Sequence, residues 1–403
     1  MIRVAWRNLW RNRRRTSLTM TTVGLATAIL VITEALMFGM AEGTARNATD
    51  TYVGEVEIHA PGWLADRSFY NALAAPSPRL AALANAGLPA APRSYGAGLA
   101  ARANKSAGAM FWGVDPVAEA RAFDLPRSLE SGKFLAPAAG RTVVLGRKLA
   151  RSLEAGVGDE IVAVVEAGDG SIGNELFTVT GILQGLGEAA DRSAAILHRK
   201  DFDELFVAGG RVHEIAVNTR GAVDLQDLDA RVSALARDAD VRTWRELLPM
   251  VSDMLGVLDA SMWIFSTVFF VAAGLGVANT MLMAVYERTH EIGVLKALGT
   301  SPLRIAADIG VEALLLAFVA TALGAAAGSA GALALQRWGI NTASWAGSTN
   351  LAGIAFDPIW RASFTPHALL RPVLTMWVVC VLASLYPAIS VARLRAVDAI
   401  GRT

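Results

Sequence analysis

Four long apolar runs divide the chain, and each is long enough to cross a bilayer as a helix. They cover about 18–40, 262–285, 306–335 and 373–392. A stretch of domain size separates the first run from the second, whereas the other connections are short. The pattern predicts an α-helical membrane protein with four transmembrane helices and one large domain outside the membrane.

Residues 41–253, between the first and second spans, carry the signals of a mixed α+β domain. Alternating residues predict strands, Gly-rich dipeptides predict turns, and longer periodic segments predict helices. Residues 244–258 are expected to form a stalk helix that leads into the second span. The predicted strands are 54–59, 142–145, 160–165 and 177–183, and the predicted helices are 147–153 and 225–236.

The segment 286–299 is amphipathic and lies between the second and third spans. Gly299 suits the end of a helix, and Ser301-Pro302 suits the start of the next. Gly293 lies in mid-helix, where glycine costs about 1 kcal/mol relative to alanine, which favours close packing there. The pattern predicts a short surface helix, with an ordinary solvated loop as the alternative. Its polar residues are Glu287, Arg288, His290, Glu291 and Lys296, and Ile292, Leu295 and Leu298 recur at helical spacing.

The run E-R-x-x-E-I-G-V-x-K-A-L-G from Glu287 to Gly299 resembles the cytoplasmic coupling segment of the MacB / FtsX / LolC–LolE superfamily of ABC-transporter permeases. The segment Trp6–Asn12 and the run G-R-x-x-V-L-G-x-x-L-A, followed by Gly158-Asp159, are similar to further parts of that family. The long outer loop at 336–371 is more similar to LolC/LolE-like members. The resemblance implies contact with an ATPase through Glu287, Arg288, Glu291, Ile292, Gly293, Leu295, Lys296, Ala297, Leu298 and Gly299.

The distribution of charge predicts the orientation in the membrane. Residues 41–253 contain 22 Lys and Arg against 28 Asp and Glu, so this domain is acidic and is not expected to bind nucleic acid. Twelve Lys and Arg lie on the proposed inner side, whereas only Arg337, Arg361 and Arg371 lie in the outer loop. The positive-inside rule places both termini in the cytoplasm and the large domain outside, in a multi-pass protein of the inner membrane.

The first fifteen residues hold six arginines among apolar residues, including Trp6 and Trp10, which predicts a basic amphipathic helix on an anionic leaflet. A cleavable signal peptide is the alternative, although the following apolar run is too long for one. The full set of segments is 1–15 (amphipathic helix), 16–40 (first span), 41–253 (periplasmic α+β domain), 254–285 (stalk and second span), 286–299 (coupling helix), 302–335 (third span), 336–371 (periplasmic loop) and 372–403 (fourth span and tail).

Motifs for catalysis are missing from the sequence. No G-x-x-x-x-G-K-[ST] occurs, so ATP and Mg are expected to be bound by a partner ATPase. His290-Glu291 and His213-Glu214 each lack the second histidine of H-E-x-x-H, so no zinc site is expected there. Cys380 is the single cysteine, which excludes an intrachain disulfide and favours a small buried residue. We therefore predict neither an enzyme nor a resident cofactor or metal.

Two further sets of residues in the spans carry predictions. Gly324, Gly328 and Gly331 have the spacing of close helix packing. A lone acid, Glu34, lies in the first span near flexible methionines. The expected surface for lipid or cargo consists of Glu34, Met37, Met40, Met262 and Ile264.

Resemblance implies a permease that works as a pair, with a second copy or a paralogue, on membrane lipid. The first expectation is extraction of lipoproteins or other lipidated cargo from the inner membrane, as in LolC/LolE. The alternatives are MacB-like efflux of a small molecule or peptide, and FtsX-like signalling without transport. A periplasmic chaperone or adaptor is a further expected partner.

Overall fold

Two units make up the computed structural model, which describes residues 6–7, 10–183, 186–341, 350–351, 354–355 and 359–393. The first, here the membrane unit, comprises residues 1–42, 255–342 and 359–403. The second, here the inserted domain, comprises residues 43–254 with 343–358. Each is described by itself below.

The described residues form the following elements. The α-helices are α1 (Arg13–Ala48), α2 (Trp63–Asp66), α3 (Pro76–Asn85), α4 (Pro116–Ala122), α5 (Arg147–Leu153), α6 (Glu188–Ser193), α7 (Arg199–Phe206), α8 (Leu225–Leu235), α9 (Trp244–Leu247), α10 (Pro249–Glu287), α11 (Thr289–Ala297), α12 (Pro302–Trp338) and α13 (Pro366–Arg393). The strands are β1 (Val56–His59), β2 (Ala90–Arg102), β3 (Lys105–Val114), β4 (Leu129–Gly132), β5 (Thr142–Leu145), β6 (Glu160–Glu166), β7 (Ile172–Leu183), β8 (Ala194–His198), β9 (Glu214–Val217), β10 (Asp240–Thr243), β11 (Ile340–Asn341), β12 (Asn350–Leu351), β13 (Ile354–Ala355) and β14 (Ile359–Trp360).

Four helices of the described residues are long and apolar enough to cross a membrane, and they contain the four predicted spans. The first, α1, already begins at Arg13 and runs to Ala48, so its ends differ from the predicted 16–40. A 3-10 turn at Trp10–Asn12 precedes it. The helix continues because no proline interrupts it, and a π-helical turn at Thr49–Val53 carries the chain to Gly54, whose φ of 84° ends the helical conformation. Residues 1–5 and 8–9 of the predicted amphipathic helix lie outside the described residues.

The predicted stalk helix at 244–258 is interrupted. The short helix α9 ends at Leu247, and Leu248 adopts φ −121° and ψ 62°, which is not helical. The long helix α10 starts at Pro249, a residue whose fixed φ suits the first helical position. Helical structure from Pro249 to Glu287 is continuous, so the stalk and the second span are one element.

The predicted outer loop at 336–371 is shorter than expected, because helices extend into both of its ends. Helix α12 continues to Trp338, and α13 already begins at Pro366. Strand β11 pairs antiparallel with β14, and β12 with β13. Residues 342–349, 352–353 and 356–358 of this loop, and the predicted tail at 394–403, lie outside the described residues.

The core of the membrane unit is built from side chains of all four long helices. Cys380 is fully buried within it, as predicted for a small apolar residue. Its other fully buried or nearly buried members include Val23 and Leu30 of α1, Val277 and Met281 of α10, Leu316 and Ala320 of α12, and Met376 of α13.

Close packing between α1 and α12 confirms the role predicted for the glycines of the third span. A Cβ atom placed on Gly324 would lie 2.7 Å from Cβ of Thr27 and closer still to the backbone oxygen of Gly24. A Cβ atom on Gly328 would lie 3.0 Å from the backbone of Ala28. Small residues therefore let the two backbones approach.

Gly324→Ala is expected to destabilise the membrane unit by at least about 2 kcal/mol, because the added methyl group meets backbone that cannot move aside. Gly310→Ala is the matched control on the same helix, since a Cβ atom there meets nothing within 4 Å. That control should leave stability unchanged or raise it by about 0.5 kcal/mol. Thermal unfolding in detergent measures both, and equal midpoints for the two variants would contradict the close approach.

A mixed sheet of ten strands forms the framework of the inserted domain. Its order is β10-β1-β9-β2-β3-β8-β5-β7-β4, and β6 pairs with β2 and β7. The pairs β3–β8 and β5–β7 are parallel, whereas the others are antiparallel. Strand β5 and helix α5 have the predicted bounds, while β7 begins five residues before the predicted strand. The predicted α+β class is confirmed.

Candidate functional site

The predicted coupling segment forms a helix of its own, α11, which starts after one non-helical residue, Arg288. It ends at Ala297 in a Schellman motif: the amide of Gly299 donates to the carbonyl of Lys296, and that of Thr300 donates to Leu295, both at 3.0 Å. Gly299 has φ 91°, which favours glycine. The prediction that Gly299 stops the helix is confirmed, and the segment is shorter than the predicted 286–299 because α10 continues through Glu287.

One side of α11 packs inside the chain. Ile292 is 6% exposed and lies in a cluster with Val285, Ile305 and Val391, which belong to α10, α12 and α13. Gly293 is buried beside it. The prediction that Ile292 joins Leu295 and Leu298 on one partner-facing stripe is therefore wrong, because Ile292 anchors α11 to its own helices.

The other side of α11 presents apolar side chains to the exterior of the membrane unit. Val294 is 40% exposed, Leu295 46% and Leu298 78%. Leu303, just after the turn, is 81% exposed, and the sequence analysis did not single it out. Ala297 and Gly299 are exposed on the same short segment. We call Val294, Leu295, Leu298 and Leu303 the coupling surface.

The charged residues assigned to the partner are engaged within the chain. Glu287 pairs with Arg15 at 2.9 Å, and Glu291 pairs with Arg11 at 3.1 Å. Arg288 donates to the carboxylate of Glu312 in α12 at 3.0 Å. Glu287, Arg288 and Glu291 therefore fix α11 to α1 and α12, which corrects their interpretation as charges offered to an ATPase.

Lys296 also contacts its own chain. Its Nζ donates to the backbone oxygen of Val391 at 2.8 Å, in the last turn of α13. Carbonyls at a helix C-terminus lack an intrahelical partner and attract cations. Burial lowers the pKa of Lys296. Lys296 therefore closes α13 rather than pointing at a partner.

The two strongest of these pairs differ in burial from the weakest. The side chains of Arg288 and Glu312 are 14% and 8% exposed, so neither charge is well solvated. Those of Arg11 and Glu291 are 51% and 57% exposed, and such surface pairs contribute little. The sequence signal for the buried pair was an acid in an apolar run, Glu312, which a membrane helix does not carry without a partner. The sequence analysis missed it.

The residues predicted to face lipid or cargo do not form one surface. Glu34 accepts a hydrogen bond from Arg371 of α13 at 2.9 Å, and Arg371 lies 3.6 Å from Asp259 of α10. The guanidinium of Arg371 also lies 4.5 Å from the ring centroid of Trp263. This group, the Arg371 cluster, joins three of the long helices, and Glu34 is therefore not an unpaired acid that awaits cargo.

Met262 and Ile264 point in different directions. Met262 is 9% exposed and Ile264 is 71% exposed. Residues two apart on an α-helix are separated by about 200° around its axis, so they cannot share a face. Met37 and Met40 are half-buried on α1. Of the five predicted residues, only Ile264 is largely exposed.

Arg371→Ala should destabilise the membrane unit by about 1–2 kcal/mol, because Glu34 loses its partner at a site only 15% exposed while Arg371 itself is partly solvated. The charge-swapped pair Glu34→Arg with Arg371→Glu should recover part of that loss. Arg337→Ala, an exposed arginine at the end of α12, is the control. A double-mutant cycle on thermal stability measures the coupling, and simple additivity would contradict the pair.

Two family descriptions match the chain and together cover most of its length. The family described as MacB-like periplasmic core domain matches residues 16–235, and the family described as FtsX-like permease C-terminal matches residues 263–396. The chain belongs to the MacB/FtsX superfamily of ABC-transporter permeases. The predicted fold, four transmembrane helices with a periplasmic α+β domain between the first and second, is confirmed.

Named relatives cover about half of the chain. An uncharacterized ABC transporter permease of Methanocaldococcus jannaschii is 28% identical over 193 residues, which are 46% of this chain and 46% of that protein. The macrolide export ATP-binding/permease protein MacB of Escherichia coli O157:H7 is 29% identical over 197 residues, 47% of this chain and 28% of MacB. The chain thus matches less than half of the length of either relative. The periplasmic region of MacB from Actinobacillus actinomycetemcomitans is 15% identical with a TM-score of 0.37, over 49% of this chain and 91% of that one.

Proposed function

We propose that this chain is a permease subunit that receives mechanical work from an ABC ATPase through the coupling surface and uses it to move an amphiphilic small molecule or peptide outward. The observation that carries the proposal is the coupling surface itself. Leu298 and Leu303 are among the most exposed large apolar side chains of the described residues. They lie beside charges that the chain has already paired internally.

An exposed apolar patch beside paired charges is typical of a protein interface. Interfaces gain most of their binding energy from a few apolar anchors in a partner's groove, and rim charges contribute less. The proposed occupant is the ATPase, as family membership implies. The proposed orientation places α11 and both termini in the cytoplasm, because Arg11, Arg15 and Lys296 lie near it and follow the positive-inside rule.

The route outward in this proposal is α10. This helix has 39 residues without a break, a length of about 58 Å. Because Ile292 and Arg288 fix α11 to the other helices, a displacement of α11 by the ATPase would also displace the end of α10. The proposed complex contains two permeases, identical or paralogous, and a periplasmic adaptor or chaperone.

ATP and Mg are proposed to bind to the ATPase and not to this chain. The sequence lacks a P-loop, and the MacB relatives are named as ATP-binding/permease proteins, in which both functions share one chain. The purified permease should show no ATP turnover above a no-protein blank. Turnover that persists after removal of every ATPase, checked by mass spectrometry, would contradict this assignment.

The cargo class rests on the name of the relatives and on the exterior of α10. MacB is named for macrolide export, which supports efflux of a small molecule. Extraction of lipoproteins or other lipidated cargo is the second candidate, and an apolar stripe on α10 favours it. Its members are Ile264, Val268, Val271 and Leu275, exposed by 71%, 63%, 55% and 67%.

Proteoliposomes that contain the permease and its ATPase can separate these cargo classes. The proposal expects ATP-dependent movement of a macrolide-type compound or an amphiphilic peptide, and ATPase stimulation by it. Release of an acylated protein to a soluble acceptor, with no small-molecule movement, would instead support the second candidate. Stimulated ATP turnover with neither movement would contradict transport and favour signalling.

A further inference from the structure

A row of charged side chains crosses three neighbouring strands of the inserted domain. In the antiparallel register, His59 of β1 lies opposite Glu214 of β9, and Glu214 lies opposite Arg93 of β2. Directly opposite residues point to the same face of a sheet, and Glu57 joins them two residues before His59. All four are buried, with His59 and Arg93 fully so. The sequence analysis treated Glu57 and His59 only as parts of a strand.

Arg93 neutralises one carboxylate and holds a second. Its Nε and Nη2 donate to the two oxygens of Glu119 at 2.7 and 3.0 Å, and its Nη1 donates to Glu214 at 2.9 Å. Tyr95 Oη donates to the other oxygen of Glu214 at 3.0 Å. Three ionised carboxylates against one guanidinium leave a formal charge of −2 in a buried place when His59 is neutral. Uncompensated buried charge is strongly unfavourable.

The ring of His59 faces Glu57 with the wrong polarity for a neutral pair. Its Nδ1 lies 3.3 Å from the backbone oxygen of His213, which can only accept, so Nδ1 carries the proton. The lone pair of Nε2 then faces Oε2 of Glu57 at 2.8 Å. Two acceptors at this distance need a positive species, either a proton or a metal ion, between or beside them. Burial and the charge of Glu214 raise the pKa of Glu57 to about 7.

His213 cannot supply that species. Its Nδ1 accepts from the amide of Tyr95 at 2.9 Å, so its Nε2 donates to the backbone oxygen of Phe69 at 2.8 Å. Burial lowers the pKa of His213, in agreement with a neutral ring. The indole of Trp63 stacks on His59 with centroids 4.9 Å apart, and its own buried N–H has no hydrogen-bond partner. The place between Glu57, His59 and Glu214 is therefore closed off by protein.

We propose that Glu57, His59 and Glu214 bind a divalent transition-metal ion such as Zn²⁺ in the inserted domain. One ligand atom from each lies within 4.8 Å of the others. One imidazole nitrogen with two carboxylate oxygens is a ligand set that suits Zn²⁺ and its neighbours. The backbone oxygen of His213 orients the imidazole, and Arg93 and Tyr95 orient Glu214, as outer-shell partners of metal ligands do. The ion compensates the charge of −2 and ties β1 to β9.

The test measures zinc retained by the full chain in detergent. We expect about one Zn²⁺ per chain after equilibration and desalting, and a rise in thermal midpoint on addition of Zn²⁺. Glu57→Gln should weaken binding at least about tenfold, since loss even of outer-shell groups has effects of that size. Glu55→Gln is the matched control: this neighbouring buried carboxylate accepts from the amides of Thr219 and Gly221 and should leave the affinity within about twofold.

Retention of less than about a tenth of an equivalent by the unmodified chain, where the proposed affinity implies near-full loading, would overturn the proposal. That result would mean that a proton, on His59 or Glu57, fills the gap. Unchanged zinc affinity in Glu57→Gln would overturn it as well, because the metal would then lie elsewhere. The measurement on the unmodified chain decides the question even if a variant does not fold.

Discussion

Replacement of both Leu295 and Leu298 with aspartate is expected to weaken binding of the ATPase by roughly 1,000-fold while the permease itself stays folded. Apolar anchors at an interface typically contribute about 2 kcal/mol or more each, and about 1.4 kcal/mol is tenfold in affinity. Both side chains are exposed in this chain, so the new carboxylates remain solvated in the free permease. Affinity between detergent-solubilised permease and ATPase at matched concentrations measures the change.

Two neighbours on α11 are the controls for that experiment. Lys296→Ala should change the affinity by less than about threefold, because Lys296 donates to Val391 of its own chain and rim charges contribute little. Ile292→Ala should lower the thermal stability by about 2–4 kcal/mol and leave the affinity of the surviving protein almost unchanged. If Ile292→Ala weakens binding more than the aspartate pair does, the coupling surface is not the docking site.

Gly293→Leu separates packing from docking. The sequence analysis expected it to block approach of the ATPase, but Gly293 is buried beside Ile292. A leucine there should first disturb the contact between α11 and its own helices, with a loss of stability of several kcal/mol. Normal stability with lost ATPase recovery would restore the original interpretation. Loss of both at matched expression would support the packing role.

Arg288→Ala should reduce the stability of the membrane unit by about 3–5 kcal/mol, because it leaves Glu312 as an uncompensated buried charge. The double variant Arg288→Leu with Glu312→Leu should recover most of that loss, since neither charge then remains in the apolar surroundings. The expected sign of the rescue follows from the exposures of 14% and 8% for this pair. Thermal unfolding of the four combinations measures it as a double-mutant cycle.

Arg11→Ala is the matched control for the buried pair. It removes an ion pair at the same end of the membrane unit, but one in which both side chains are more than half exposed. Its effect should be less than about 0.5 kcal/mol. Equal losses for Arg11→Ala and Arg288→Ala would show that burial does not set the strength of these pairs.

Local signals allowed much of the fold to be predicted. Apolar length located the four long helices, and turn chemistry located Gly299 and the start of α12 at Pro302. Strand β5 and helix α5 were predicted to the residue because alternation and periodicity are read over a few neighbours. Helix ends were less accurate where no stop residue lies near the membrane boundary, as at Ala48.

Long-range pairing could not be read from the sequence. Glu312, Arg11 and Arg15 approach α11 from distant parts of the chain, so the charges of α11 looked available when they are engaged. The same reason hid the meeting of β1 with β9, which brings Glu57 to Glu214. Periodicity gave the relative angle of Ile292 and Leu295, but only the positions of α12 and α13 decide which of the two is covered.

A photo-crosslink from the coupling surface to the ATPase tests the central claim most directly. Cys380 is the single cysteine and is fully buried, so Leu298→Cys can carry a photoactivatable maleimide in an otherwise native chain. Leu323→Cys, at an exposed position in the middle of α12, is the control. The account predicts an adduct with the ATPase from position 298 and none from position 323. An intact permease–ATPase complex that gives no adduct from position 298 would contradict it.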